Sequence, residues 1–167
     1  MTTNARITFL GNPWPEGHAA TLTLVLADDP GALEVALRSE DYYAEREVPD
    51  GEAAADWEAP IAWANFHRAA LEGTIPVPDE VRTLADLDGL EVRVDHDVVA
   101  SEDWDWDALA FDHCYILGHD AVAGHTFRFA VAAERLTVEW EGKVALAYVG
   151  DHAFRYAFRV KGGVALG

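Results

Sequence analysis

Hydrophobic and polar positions alternate with a period of two along much of this chain, most clearly from His125 to Lys161. Phe127, Phe129 and Val131 make one apolar row, and Leu136, Val138 and Trp140 a second. Val144, Leu146 and Tyr148 make a third, and Phe154, Tyr156, Phe158 and Val160 a fourth. A strand turns successive side chains to opposite faces, so each row predicts a strand with one buried face. A slip of one residue would expose a whole row, so the connections must keep like rows opposed. That requirement puts turns at 132–135, at Glu141-Gly142-Lys143 with Trp140 opposite Val144, and at 149–153. Arg128, Thr137, Glu139, Arg155 and Arg159 fall on the polar face.

The same pattern recurs earlier. Arg6 to Leu10 reads as a short strand, ended by a loop with two prolines and two glycines around Trp14. Leu22, Leu24 and Leu26 oppose Leu37, Val35 and Leu33 across Asp28-Asp29-Pro30-Gly31, a strong turn sequence. Leu90, Val92, Val94 and His96 alternate as well. Pairing them with the row Leu109, Phe111, His113, Tyr115 and Leu117 sets Val94 near Tyr115 and His96 near His113. Between these strands the period changes. Trp63, Phe66, His67, Ala70 and Leu71 recur at helical spacing, which predicts a helix over 61–71 ended by Gly73. A second short helix is predicted over 81–87 behind Pro78-Asp79-Glu80. The expected fold is therefore mainly β within the α+β class. It is an antiparallel sandwich or strongly bent sheet of about nine strands, with one or two short helices between residues 60 and 87.

A length of 167 residues suits one domain spanning 1–167. No apolar run approaches the roughly 20 residues of a membrane-spanning helix. The first residues lack the basic end and apolar stretch of a signal peptide. Cys114 is the single cysteine, so no internal disulfide can form, and a reducing cytoplasm is the expected location. The net charge of −18 is uneven: the stretch 126–161 carries +2, leaving −20 for the remainder. That field opposes nucleic acid and anionic membrane and favours a basic protein partner or a cation.

Candidate chemistry is sparse. The two serines, Ser39 and Ser101, stand in no Gly-x-Ser-x-Gly elbow, and no glycine-rich phosphate loop occurs. Asp103, Asp105 and Asp107 open like a calcium loop, but Ala108 and Cys114 stand where that loop needs Gly and Glu. His113 and Cys114 are adjacent, so on a strand they point to opposite faces and cannot share an ion. His96, His113 and His119 remain as a candidate metal set; no metal and no other cofactor is expected as the leading reading. Trp57, Trp104 and Trp106 are candidate partner anchors, because large aromatics ringed by charge supply buried contact area. Asp103, Asp105 and Asp107 would steer a basic partner. The leading expectation is thus a non-enzymatic binding or inhibitory module of the immunity type. The alternative is a small-molecule hydrolase with a His-lined site, and a homodimer is a further form.

Overall fold

The computed structural model describes residues 1–9, 17–39, 69–98, 108–111, 113–115 and 119–166. It holds β1 (Thr2–Phe9), β2 (His18–Leu26), β3 (Ala32–Ser39), β4 (Ala70–Pro76), β5 (Glu91–Val94), β6 (Cys114–Tyr115), β7 (His119–Ala132), β8 (Arg135–Ala145) and β9 (Tyr156–Ala165). Eight of these run side by side in the order β4-β3-β2-β1-β9-β8-β7-β5, and the two-residue β6 pairs with β7 off that path. All the pairings are antiparallel. The expected mainly-β, strongly bent sheet is what forms, with eight strands in the sheet rather than nine.

The bend brings the two ends of the sheet together. β4 touches both β5 and β6. The remaining seam is bridged by residues 110 and 111: the Thr74 amide donates to the Ala110 carbonyl at 3.1 Å, and Gly73 pairs with Phe111. A Cβ on Gly73 would lie 2.0 Å from the Ala110 oxygen, so only glycine admits this approach. Phe111 passes through the seam into the interior, where it stacks on Trp140 with ring centroids 5.0 Å apart. Trp140, Phe9, Phe111, Phe127 and Phe158 are the largest of the buried side chains that fill the middle. An eight-stranded closure is just wide enough for side chains to occupy its interior.

The β2–β3 hairpin pairs Leu22 with Leu37, Leu24 with Val35 and Leu26 with Leu33, as the alternation predicts. Elsewhere the structure corrects the sequence reading. No turn forms at Glu141-Gly142-Lys143; β8 runs straight through, and Trp140 pairs with Phe127 on one side and Val160 on the other. The turn before β8 shrinks to Ala133-Glu134, both at positive φ. Tyr148 is not in an inward row but 68% exposed. β5 pairs with β7, Val92 facing Phe127 and Val94 facing His125, and not with the described residues of the stretch 108–117. Of the helix expected over 61–71, residues 61–68 lie outside the described part, while Ala70 and Leu71 open β4 instead. The expected helix over 81–87 is a single 3-10 turn, Leu84–Leu87. Among the described residues no helix is long and apolar enough to cross a membrane.

Two ends of the sheet differ. At one end, β2 joins β3 through 27–31, β7 joins β8 through 133–134, and β4 joins β5 through 77–90. At the other, β1, β3, β5, β6 and β8 end and β2, β4, β7 and β9 begin, so the sequence segments between those strand ends are attached there, 146–155 among them, while residues 110 and 111 lie along the seam. This second end is termed the connector end.

Candidate functional site

The six described histidines all belong to the connector end. His18 and His119 begin β2 and β7, His96, His113 and His152 lie in connections, and His125 sits in β7 at a break in register. Ala123 pairs with Lys143 and Thr126 with Glu141, so Gly124 and His125 together face Gly142. Gly124 adopts φ +63, which makes this a bulge of the kind that re-aims side chains. Before it Asp120 and Val122 are buried; after it His125, Phe127 and Phe129 are.

His125 is fully buried among aromatic rings, with Phe111 at 4.7 Å, Trp140 at 5.8 Å and Phe158 at 6.1 Å between centroids. The Trp140 indole N–H donates to Nδ1 of His125 at 3.1 Å. An indole N–H can only donate, so Nδ1 must accept and the single proton of the neutral ring is on Nε2. Among the described residues that buried Nε2 has no hydrogen-bond partner. Burial, with His96 nearby, pushes the pKa of His125 down to about 3, so the ring is neutral at pH 7. A base so far from neutrality is poorly matched to proton transfer there. Leaving a donor unsatisfied in this setting costs about 1–3 kcal/mol.

The turn after β5 locks onto the bulge. His96 Nε2 donates to the His125 carbonyl at 3.0 Å and lies 3.1 Å from the Thr126 hydroxyl. Asp95 takes φ +57; its carbonyl accepts from the Gly124 amide at 2.9 Å and its carboxylate from the Ala110 amide at 2.9 Å. Asp95 therefore ties the bulge to the segment that closes the seam. Its burial raises the pKa of its carboxyl, against the opposing hydrogen bond from Ala110 and the charge of His96.

The candidate metal set is divided between two places. His113 and His119 stack with centroids 4.3 Å apart, while the His96 nitrogen is engaged by the bulge. Among the described residues no group of three or more His, Cys, Asp or Glu side chains could hold a metal ion. Cys114 is buried, and its thiol pKa is pushed up by burial and by the nearby Asp120 carboxylate, which keeps it an unreactive thiol. Asp120 is itself fully buried and accepts from the Tyr148 amide at 3.1 Å. The candidate anchors Trp57, Asp103, Trp104, Asp105, Trp106 and Asp107 lie outside the described residues.

The outer face of β5, β7, β8 and β9 carries a ladder of ion pairs. Arg93 and Arg128 both bind Glu91, at 2.6 and 2.9 Å, and Arg128 and Arg159 both bind Glu141, at 3.3 and 2.6 Å. Lys161 binds Glu139 at 2.7 Å. Arg128, Arg159 and Lys161, three of the basic residues in this part of the sequence, are thus matched locally by carboxylates. His125, Asp95 and Asp120 were not singled out by sequence reasoning. His125 shares parity with Phe127 and Phe129, a signal for an inward position, whereas nothing near Asp120 marks it as buried. No family model, curated protein or solved structure matches the chain.

Proposed function

We propose that the protein is a non-enzymatic binding module that takes up a cationic protein partner at its connector end, in the manner of an immunity-type inhibitor. The partition of charge carries this reading. The segments 10–17, 40–69, 95–113, 116–118 and 146–155 hold 17 of the 30 acidic residues but only 3 of the 12 basic ones. The same segments hold five of the six tryptophans. A rigid scaffold whose connections carry one sign of charge and large aromatics has the two things a protein interface needs: steering and anchors. The aromatic interior supports the same reading, since it is occupied by side chains and its histidine is neutral.

The test is binding of purified basic nucleases and toxins by surface plasmon resonance, with polylysine as a general cation control. The expected result is one complex whose association rate falls as salt rises, and that Asp103→Asn, Asp105→Asn and Asp107→Asn together weaken about tenfold. Binding to polylysine alone, unchanged by those substitutions, would overturn the reading.

A further inference from the structure

Alternation along the sequence turns Tyr148 inward, yet its side chain is 68% exposed. Among the described residues Met1 and Val25 are the other exposed large hydrophobic side chains, at 51% and 42%. Both belong to the opposite end of the sheet, where β1 begins and β2 ends. Tyr148 stands at the connector end, in the 3-10 turn Ala147–Val149 that follows β8. A single exposed aromatic is ordinary on a protein surface. What sets this one apart is how firmly the backbone beneath it is held.

The Tyr148 amide donates to the carboxylate of the fully buried Asp120 at 3.1 Å. The Gly150 amide returns to the Ala147 carbonyl at 3.0 Å, with Gly150 at φ +83, and the Asp151 amide to the Leu146 carbonyl at 3.1 Å. The Asp151 carboxylate accepts from the Ala153 amide at 3.2 Å, from Arg155 at 2.9 Å and from the Tyr156 hydroxyl at 3.2 Å. Asp120 lies in β7 and Tyr156 opens β9, so the turn is tied to the sheet on both sides. The phenol ring then has only two side-chain torsions to settle, and contact area fixed in advance loses little freedom on binding. Arg155, the cation of this loop, is matched by Asp151, which reduces repulsion of an approaching positive charge.

On the reading that the connector end takes up a cationic protein, we propose that Tyr148 is the anchor that receives an arginine of that partner, its guanidinium lying on the face of the phenol ring. A guanidinium is planar and weakly hydrated and stacks on aromatic faces, whereas an ammonium is a compact, strongly hydrated charge. The net charge of −18 draws both kinds of cation to the chain, and the ring selects between them. The partner surface is therefore rich in arginine rather than lysine.

The probes are hexa-arginine and hexa-lysine peptides of equal charge, added to the full chain. Carbon-13 NMR of the tyrosine rings, with Tyr148 assigned from Tyr148→Phe, should show its signals moving saturably with hexa-arginine and about half as far or less with hexa-lysine. By fluorescence anisotropy of dye-labelled peptides, Tyr148→Ala should lower affinity for hexa-arginine about threefold and for hexa-lysine less, while Tyr148→Phe stays within about twofold of wild type. The wild-type spectra decide the matter even if Tyr148→Ala folds poorly. Ring signals that stay still, equal shifts with the two peptides, or a folded Ala variant that binds hexa-arginine as the wild type does would each overturn the proposal. Asp103→Asn, Asp105→Asn and Asp107→Asn together probe the charge reading by itself: if they weaken neither peptide that reading fails, whatever the Tyr148 signals do.

Discussion

The Trp140 indole and the His125 imidazole form a buried hydrogen bond of 3.1 Å that decides where the histidine keeps its proton. Because tryptophan can only donate, His125 is held as the Nε2-protonated neutral form, with that proton facing no acceptor among the described residues. Nitrogen-15 NMR of the imidazole should report the Nε2–H tautomer at pH 7. The opposite tautomer would show that the bond is absent in solution.

The same histidine gives the stability a pH dependence. Its folded pKa, about 3, lies below its ordinary value of 6.5, so the unfolded chain takes up its proton first. Its contribution is complete above pH 6.5 and is lost as pH falls toward 3, with a slope of up to about 1.4 kcal/mol per pH unit. Urea unfolding between pH 7 and 4 should show a flatter acid limb for His125→Phe than for the wild type. Parallel limbs would mean that His125 is not buried and neutral.

Gly142 sits opposite the bulge where a side chain has no room. A Cβ there would lie 2.5 Å from Phe158 Cζ and 2.7 Å from His125 Nδ1. Gly142→Ala should therefore lower unfolding free energy by about 1–3 kcal/mol, as overpacking of a filled core does. Denaturant melts measure it, and an unchanged midpoint would mean that the strands part easily at this level.

Asp95 separates two effects by two substitutions. Asp95→Asn keeps an acceptor for the Ala110 amide and a residue that tolerates positive φ, while removing a carboxylate whose pKa burial raises. The raised pKa makes the ionised form unfavourable once pH exceeds it, so this variant should match or exceed the wild type at pH 7. Asp95→Ala loses both acceptor and turn preference and should cost about 1–2 kcal/mol. Hydrogen exchange should quicken at Thr74 and Ala110 in the Ala variant only.

The ion-pair ladder should matter little to stability. Glu141 binds Arg159 and Arg128, and its pKa is lowered chiefly by the hydrogen bond from Arg159. Its side chain is 37% exposed, so solvent screens these pairs. Glu141→Gln should cost under about 1 kcal/mol, and less in high salt. The wild-type contribution is present above pH 4.5 and fades as pH falls through the lowered pKa. A cost that persists in high salt would mean the ladder is better shielded than its exposure indicates.

How much of this was legible follows from what each residue pattern encodes. The β2–β3 register could be read residue by residue, because an alternating leucine row on each side of Asp-Asp-Pro-Gly admits one pairing. Gly142 misled, since a glycine between Glu141 and Lys143 resembles a turn, whereas its role is to admit His125 and Phe158. The first half of β7 was hidden because Gly124 switches the inward parity and because Asp120 to Ala123 are all buried. The neighbour of β5 is not encoded locally: alternation tells which face is apolar but not which strand lies alongside. Of the site, the inward position of His125 was readable. The donor that fixes its tautomer comes from a strand fifteen residues away in sequence, and no local pattern encodes it.

The clasp of residues 110 and 111 has a bearing on how the molecule behaves in a crowd. An open sheet has two rims of unpaired amides and carbonyls, each a template on which another chain can add. Here the rims on β4 and β5 are turned toward one another, with residues 110 and 111 bonded to β4, the Asp95 carboxylate just past β5 holding the Ala110 amide, and Phe111 as the pin. Withdrawal of that pin would bare both rims in one event, so polymerisation should be governed by this local opening rather than by global unfolding.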